Sequence, residues 1–136
     1  MEYFTIEELC ASSTGERLRI DNTPTPAAVK NLELLVDKVL DPARRLWGMP
    51  ITINSGYRCR DLNSAVHGVY NSQHLRGEAA DITTGTAANN AVLFLTIAKS
   101  WETIPFDQLI LEPRAAWIHV SYTARRKPRL QIIDKR

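Results

Sequence analysis

The chain has little with which to staple or anchor itself. Only two cysteines occur among 136 residues, Cys10 and Cys59. So few, and so far apart, they exclude a disulfide framework and the clustered spacing of a structural zinc knuckle; both read as reduced, buried thiols. No apolar run approaches the roughly 18–20 residues of a membrane span, so no span is expected. The first residues lack a charged start, an apolar run and a small-residue cleavage site. The expectation is a chain made in the cytoplasm. Aromatics are only 7% of the residues and are not interleaved with basic ones, so no nucleic-acid partner is expected. Net charge is +2, with no long basic run. Basic residues gather at the end, in Arg125-Arg126-Lys127 and Lys135-Arg136; they read as a solvated tail or as a patch for an anionic surface. Internal repeats and low-complexity segments are absent too. Residues 1–136 therefore read as one domain, long enough to bury a core.

Several elements carry their own signals. Thr5 followed by Glu8 is a capping-box start for a helix over residues 3–9, with Phe4 and Leu9 as its hydrophobic staple. Ser12 to Thr25 is polar, with Gly15, Asn22 and Pro24, and reads as a loop. Residues 26–47 form the longest helical pattern: Thr25 caps it, Pro26 suits its first position, and Val29, Leu32, Leu35, Val36, Val39, Leu40, Ala43 and Leu46 recur at helical steps. Pro42 kinks or splits it. Ile51-Thr52-Ile53-Asn54 reads as a strand, and Asp61 caps a short helix to Val66. Ala79 to Ile82 reads as a buried strand. Thr86 to Trp101 is a second amphipathic helix, with Val92, Leu93, Leu95, Ile97 and Ala98 inward. A hairpin of 106–112 and 117–122 turns at Pro113–Ala116, and Leu130–Ile133 adds an edge strand. The fold class is α+β: a small, mostly antiparallel sheet with two main helices on one face and a single metal site in a cleft.

The chemistry-bearing residues are His74, Asp81 and His119. All three are zinc-ligating types, and a catalytic zinc commonly takes three protein ligands. An aspartate inside Ala79-Ala80-Asp81-Ile82 is costly to bury unless it lies on a metal, caps a turn or pairs with an arginine. If the last hairpin strand alternates, Trp117, His119 and Ser121 share one face and Ile118, Val120 and Tyr122 the other. The aliphatic face packs on the helices; His119 is then either a structural histidine or opens on a cleft. With the turn at 113–116, residue 112 pairs with 117 and 110 with 119. Glu112 then shares the face of His119, and is either an exposed strand-end carboxylate or a general base. Asp107 falls on the opposite face. Arg58 follows a strand and a Ser-Gly turn; it either forms a surface ion pair or holds a carboxylate or oxyanion. Ser72 and Gln73 precede His74 and are placed to hydrogen-bond a peptide. His67 is a loop histidine.

Together, Ser55-Gly56-Tyr57-Arg58, then Ser72-x-His74 followed by Asp81, then Trp117-x-His119, resemble the zinc D-Ala-D-Ala carboxypeptidases. That family includes L-Ala-D-Glu endopeptidases of phage lysins, and its metal site is similar to that of the hedgehog signalling domain. The resemblance is closest to the small phage-associated branch and runs from Phe4 to about Tyr122. It implies Zn2+ on His74, Asp81 and His119, with Arg58 on the developing oxyanion and Ser72 on the substrate. The implied substrate is the peptide stem of bacterial peptidoglycan. Separately, a monomer is expected, one that reaches the cell wall after release or lysis. One departure matters. Better-known members carry the base three residues before the final histidine, where this chain has Ala116. The base must come from elsewhere, which points to Glu112. Without a base, the alternative is a zinc-containing module that binds wall peptide and does not cut it. The branch also tends to have a second glycine where this chain has His67, beside Gly68.

Overall fold

The computed structural model describes all residues, Met1–Arg136. Helix α1 (Ile6–Cys10) starts as its sequence requires: the Thr5 hydroxyl accepts from the Glu8 amide, and the Glu8 side chain reaches back to the Thr5 amide. Phe4 and Leu9 are both buried. The stretch expected to be loop contains a further helix, α2 (Ser13–Arg17), capped by the Ser12 hydroxyl on the Gly15 amide. It has no apolar stripe, which is why periodicity misses it.

The long helical pattern is a single run in three pieces: α3 (Pro26–Leu35), a π-helical turn (Val36–Leu40) and α4 (Asp41–Trp47). Pro42 has no amide to give the ladder. The turn before it widens so that the Asp41 amide reaches back five residues to the Val36 carbonyl. The chain then forms β1 (Thr52–Ser55) and α5 (Arg60–Ala65). Cys59, not Asp61, caps α5: its thiol accepts from the Leu62 amide. Strand β2 (Ala79–Thr83) leads to α6 (Ala87–Lys99). Leu93, Phe94 and Ile97 face the core there; Val92 and Leu95, expected inward, are exposed. A short apolar run cannot fix its own phase, and here Asn90 is buried on the core side.

Strands β3 (Gln108–Leu111), β4 (Ile118–Ser121) and β5 (Gln131–Asp134) complete a five-stranded sheet in the order β1-β2-β4-β3-β5. All neighbours are antiparallel except β3 and β5, which run parallel. The hairpin register is the expected one, with Ile110 opposite His119. The side chains of Ala80, Ile82, Leu109, Leu111, Ile118 and Val120 are buried on one face, in one cluster with the residues of α3, α4 and α6. Fully burying one such aliphatic side chain is worth about 1.5–3 kcal/mol. The other face, carrying Asp81, Ile110 and His119, is left for the site. No helix is long and apolar enough to cross a membrane.

Candidate metal centre

The site is built from the end of β1. Gly56 passes so close to α1 that a Cβ there would collide with the Leu9 carbonyl. That approach lets the Tyr57 amide bond to the Leu9 carbonyl and turns the Gly56 carbonyl toward His74. His74 lies in a 3-10 turn (Gln73–Arg76) that Ser72 caps with its hydroxyl on the His74 amide, 3.1 Å. Gly77, at φ +74°, ends the turn against the Ala28 carbonyl. The Arg58 amide donates to the His74 carbonyl, 3.0 Å, so both site segments are fixed to each other by backbone.

Asp81 and His119 are register partners on β2 and β4. Asp81 Oδ1 is 3.0 Å from His119 Nδ1 and 3.4 Å from His74 Nε2. One ligand atom from each of the three lies within 4.8 Å of the others. Ligands around a tetrahedral zinc at about 2.0–2.2 Å stand about 3.4 Å apart, and both Asp81 distances already lie near that spacing. The decisive detail is His74. Its Nδ1 lies 2.6 Å from the Gly56 carbonyl oxygen. A carbonyl can only accept, so Nδ1 carries the proton and Nε2 presents a bare lone pair. That Nε2 is buried and has no hydrogen-bond partner. Its nearest charged neighbour is a carboxylate oxygen, another acceptor. Two acceptors facing each other with no proton between them fit a cation. Electrostatics agree: burial holds His74 below the usual histidine range despite Asp81. Burial pushes Asp81 up, but the carboxyl is held well below the usual range, first of all by its hydrogen bond with His119. The site is a neutral imidazole beside an ionised carboxylate, the protonation states that ligands need.

Arg58 lies against this set. Its Nη2 is 3.6 Å from Asp81 Oδ2, while Nε donates to Ser55 and Nη1 to Asn63. Burial holds its pKa below the usual value even with Asp81 adjacent. A cleft of about 440 Å³ opens over the site, and its walls include Arg58, Ser72, Gln108, Ile110, Glu112 and Trp117. Glu112 therefore lies on the His119 face; its Oε1 is 3.7 Å from Lys135 Nζ. His67 also lines the cleft but is not among the grouped ligands. It adopts φ +60°, a left-handed position that favours the glycine the resembling branch tends to carry.

Gln73 is drawn elsewhere. Its amide donates to Glu78 and to Asp107, two carboxylates that are 1% and 0% exposed. Sequence reasoning missed this pair. Arg125 and Thr123 hold Glu78; Arg126 and Arg129 hold Asp107. Burial raises both carboxyls, but these donors outweigh it and leave both below the usual range. The late basic cluster is thus mostly a clamp and not a free tail. The signal was present as arginines facing no nearby acid in sequence. Both thiols are free, as expected, but only partly buried; burial raises Cys10.

Three side chains that could hold one metal ion, beneath a cleft and flanked by an arginine and a carboxylate, have the composition of a mononuclear metal-dependent hydrolase site. Residues 2–121 match the family described as Peptidase M15, and the chain belongs to that family. M15 peptidases are zinc-dependent, and membership supports a metallopeptidase. A comparison with curated proteins finds no match.

Proposed function

We propose that the protein is a zinc metallopeptidase that hydrolyses peptide bonds in the stem peptide of bacterial peptidoglycan. The observation that carries this reading is the bare, buried Nε2 of His74 converging with Asp81 and His119 beneath a peptide-sized cleft. His74, Asp81 and His119 would hold the ion. When bound, zinc acts as a Lewis acid on the scissile carbonyl and makes water acidic enough to attack near neutral pH.

The chain's own residues do the rest. Glu112 accepts a proton from the attacking water as oxygen adds to the carbonyl carbon, and returns it to the amine nitrogen as the C–N bond breaks. Arg58 is held at three points, so its guanidinium is preorganised for the developing oxyanion. The Ser72 oxygen already accepts from the His74 amide, which leaves its hydroxyl proton for a substrate carbonyl. Gln73 acts through others, tying the His74 turn to Glu78 and Asp107. A second hollow of about 290 Å³ shares Arg58, Val66, Asp81 and Trp117 with the cleft. Open space that continues past Asp81 favours cutting an internal bond over trimming a chain end.

The second reading is a zinc-containing module that binds wall peptide without cutting it. Ala116, standing where better-known relatives carry their base, favours it. Mass spectrometry of purified muropeptides separates the two. Hydrolysis products that vanish with a chelator support the peptidase. Intact muropeptides with zinc-loaded protein support the module.

A further inference from the structure

Arg58, Arg125, Arg126 and Arg129 all face carboxylates. Arg60 and Arg76 face none. These two line a hollow of about 270 Å³ together with Tyr70, Asn71, Ser72 and Leu75. Ser72 belongs equally to the wall of the cleft over the metal centre, so the hollow adjoins the cleft at the residue placed to hold the substrate backbone. Arg60 is not a loose surface side chain. Its Nη1 donates to the Tyr70 carbonyl at 2.7 Å, and its guanidinium carbon lies 4.5 Å from the Tyr70 ring centroid. Stacking and one hydrogen bond orient the fork and leave its other donors unclaimed. The only other arginine beside the cleft, Arg58, is held by Ser55, Asn63 and Asp81 and is already assigned to the oxyanion.

We infer that Arg60 and Arg76 form a specificity subsite that takes a carboxylate of the substrate, beyond the residue contacted by Ser72. This rests on the peptide reading of the cleft. A planar, preoriented guanidinium suits a carboxylate, which it can engage through two parallel hydrogen bonds. The carboxylate comes from the C terminus of the stem peptide or from its D-glutamate; both have the same chemistry, and amidation tells them apart.

The test is titration calorimetry of zinc-loaded Glu112→Gln protein with three synthetic stem tetrapeptides: unmodified, amidated at D-glutamate, and amidated at the C terminus. One amidation should weaken binding by about tenfold or more, since charge-assisted hydrogen bonds are lost. The amidation that does so names the carboxylate. Adding Arg60→Gln and Arg76→Gln should erase the difference between acid and amide. Both positions are exposed, so the fold should survive. Equal binding of all three peptides, no binding of any, or a preference that persists in the double arginine variant overturns the subsite. Digestion of the same peptides by wild-type protein is scored separately. Its absence would count against the peptidase reading while the acid-versus-amide comparison still stands.

Discussion

At the scale of single residues, the weight falls on one nitrogen. His74 Nε2 is buried and meets no donor, a condition that costs about 1–3 kcal/mol for a buried polar group. Binding a cation converts that cost into a bond. His74→Ala should therefore abolish stoichiometric zinc, measured by elemental analysis of the purified protein; stoichiometric zinc in that variant would overturn the ligand assignment. Glu112→Gln keeps the shape of the side chain and removes its basicity. It should retain zinc and lower kcat by about a hundredfold or more, read from initial rates on a stem peptide. An unchanged kcat would move the base elsewhere. The convergence of His74, Asp81 and His119 was legible in the sequence because few residue types bind zinc and the chain has few histidines. Asn90 was not. Its side chain accepts from Thr84 and donates to the carbonyls of Ala115 and Ala116, so it braces the β3–β4 turn from α6. Nothing around position 90 marks partners so far along the chain.

At the scale of elements, the segment after β4 matters more than its composition suggests. Arg125, Arg126 and Arg129 cross to Glu78 and Asp107, and Gln73 joins the two acids beneath His74. Asp107→Asn should cost about 2–3 kcal/mol. That is less than for a fully buried pair, because the arginines are 40% and 45% exposed and can resolvate. Urea denaturation measures it. The pH dependence has a definite sign. Both carboxyls are lower in the folded than in the unfolded chain, so their stabilisation is complete above the unfolded range near about pH 4. It is lost as pH falls through the lowered folded values, and the thermal midpoint should drop there more steeply in the wild type than in Asp107→Asn. Local signals found the helix starts at Thr5, Thr25 and Thr86, where a hydroxyl caps a free amide. They failed for α2, which is held by its Ser12 cap and by neighbours distant in sequence. They also failed for the inward face of α6, where tertiary packing set the phase.

At the scale of the whole molecule, the α+β class and the two-faced sheet followed from alternation in β4, because a one-residue slip would bury His119 and expose Ile118. The parallel pairing of β5 was not legible, since four residues of strand do not say which way they will run. With one face committed to the helices and the other to the ligands, metal binding couples to global stability. Zinc held at a hundred times its dissociation constant should add about 2.7 kcal/mol. A thermal melt should therefore fall by several degrees in chelator and recover when zinc is restored; an unchanged midpoint would mean that the set does not bind zinc in the folded state.

Strand β5 has a further consequence, for solubility. The Gln131 amide bonds to the Asp107 carbonyl and the Lys135 amide to the Leu111 carbonyl, which closes the outer side of β3. Without that cover, Leu109, Ile110 and Leu111 would sit on an open edge, a template for a second chain. With it, the sheet ends in a short strand bordered by Asp134, Lys135 and Arg136, and such charges discourage pairing. The clamp on Glu78 and Asp107 lies just upstream of β5 and holds that covering strand in place. A protease nick between residues 124 and 130 should appear first as concentration-dependent light scattering, before any loss of helical signal.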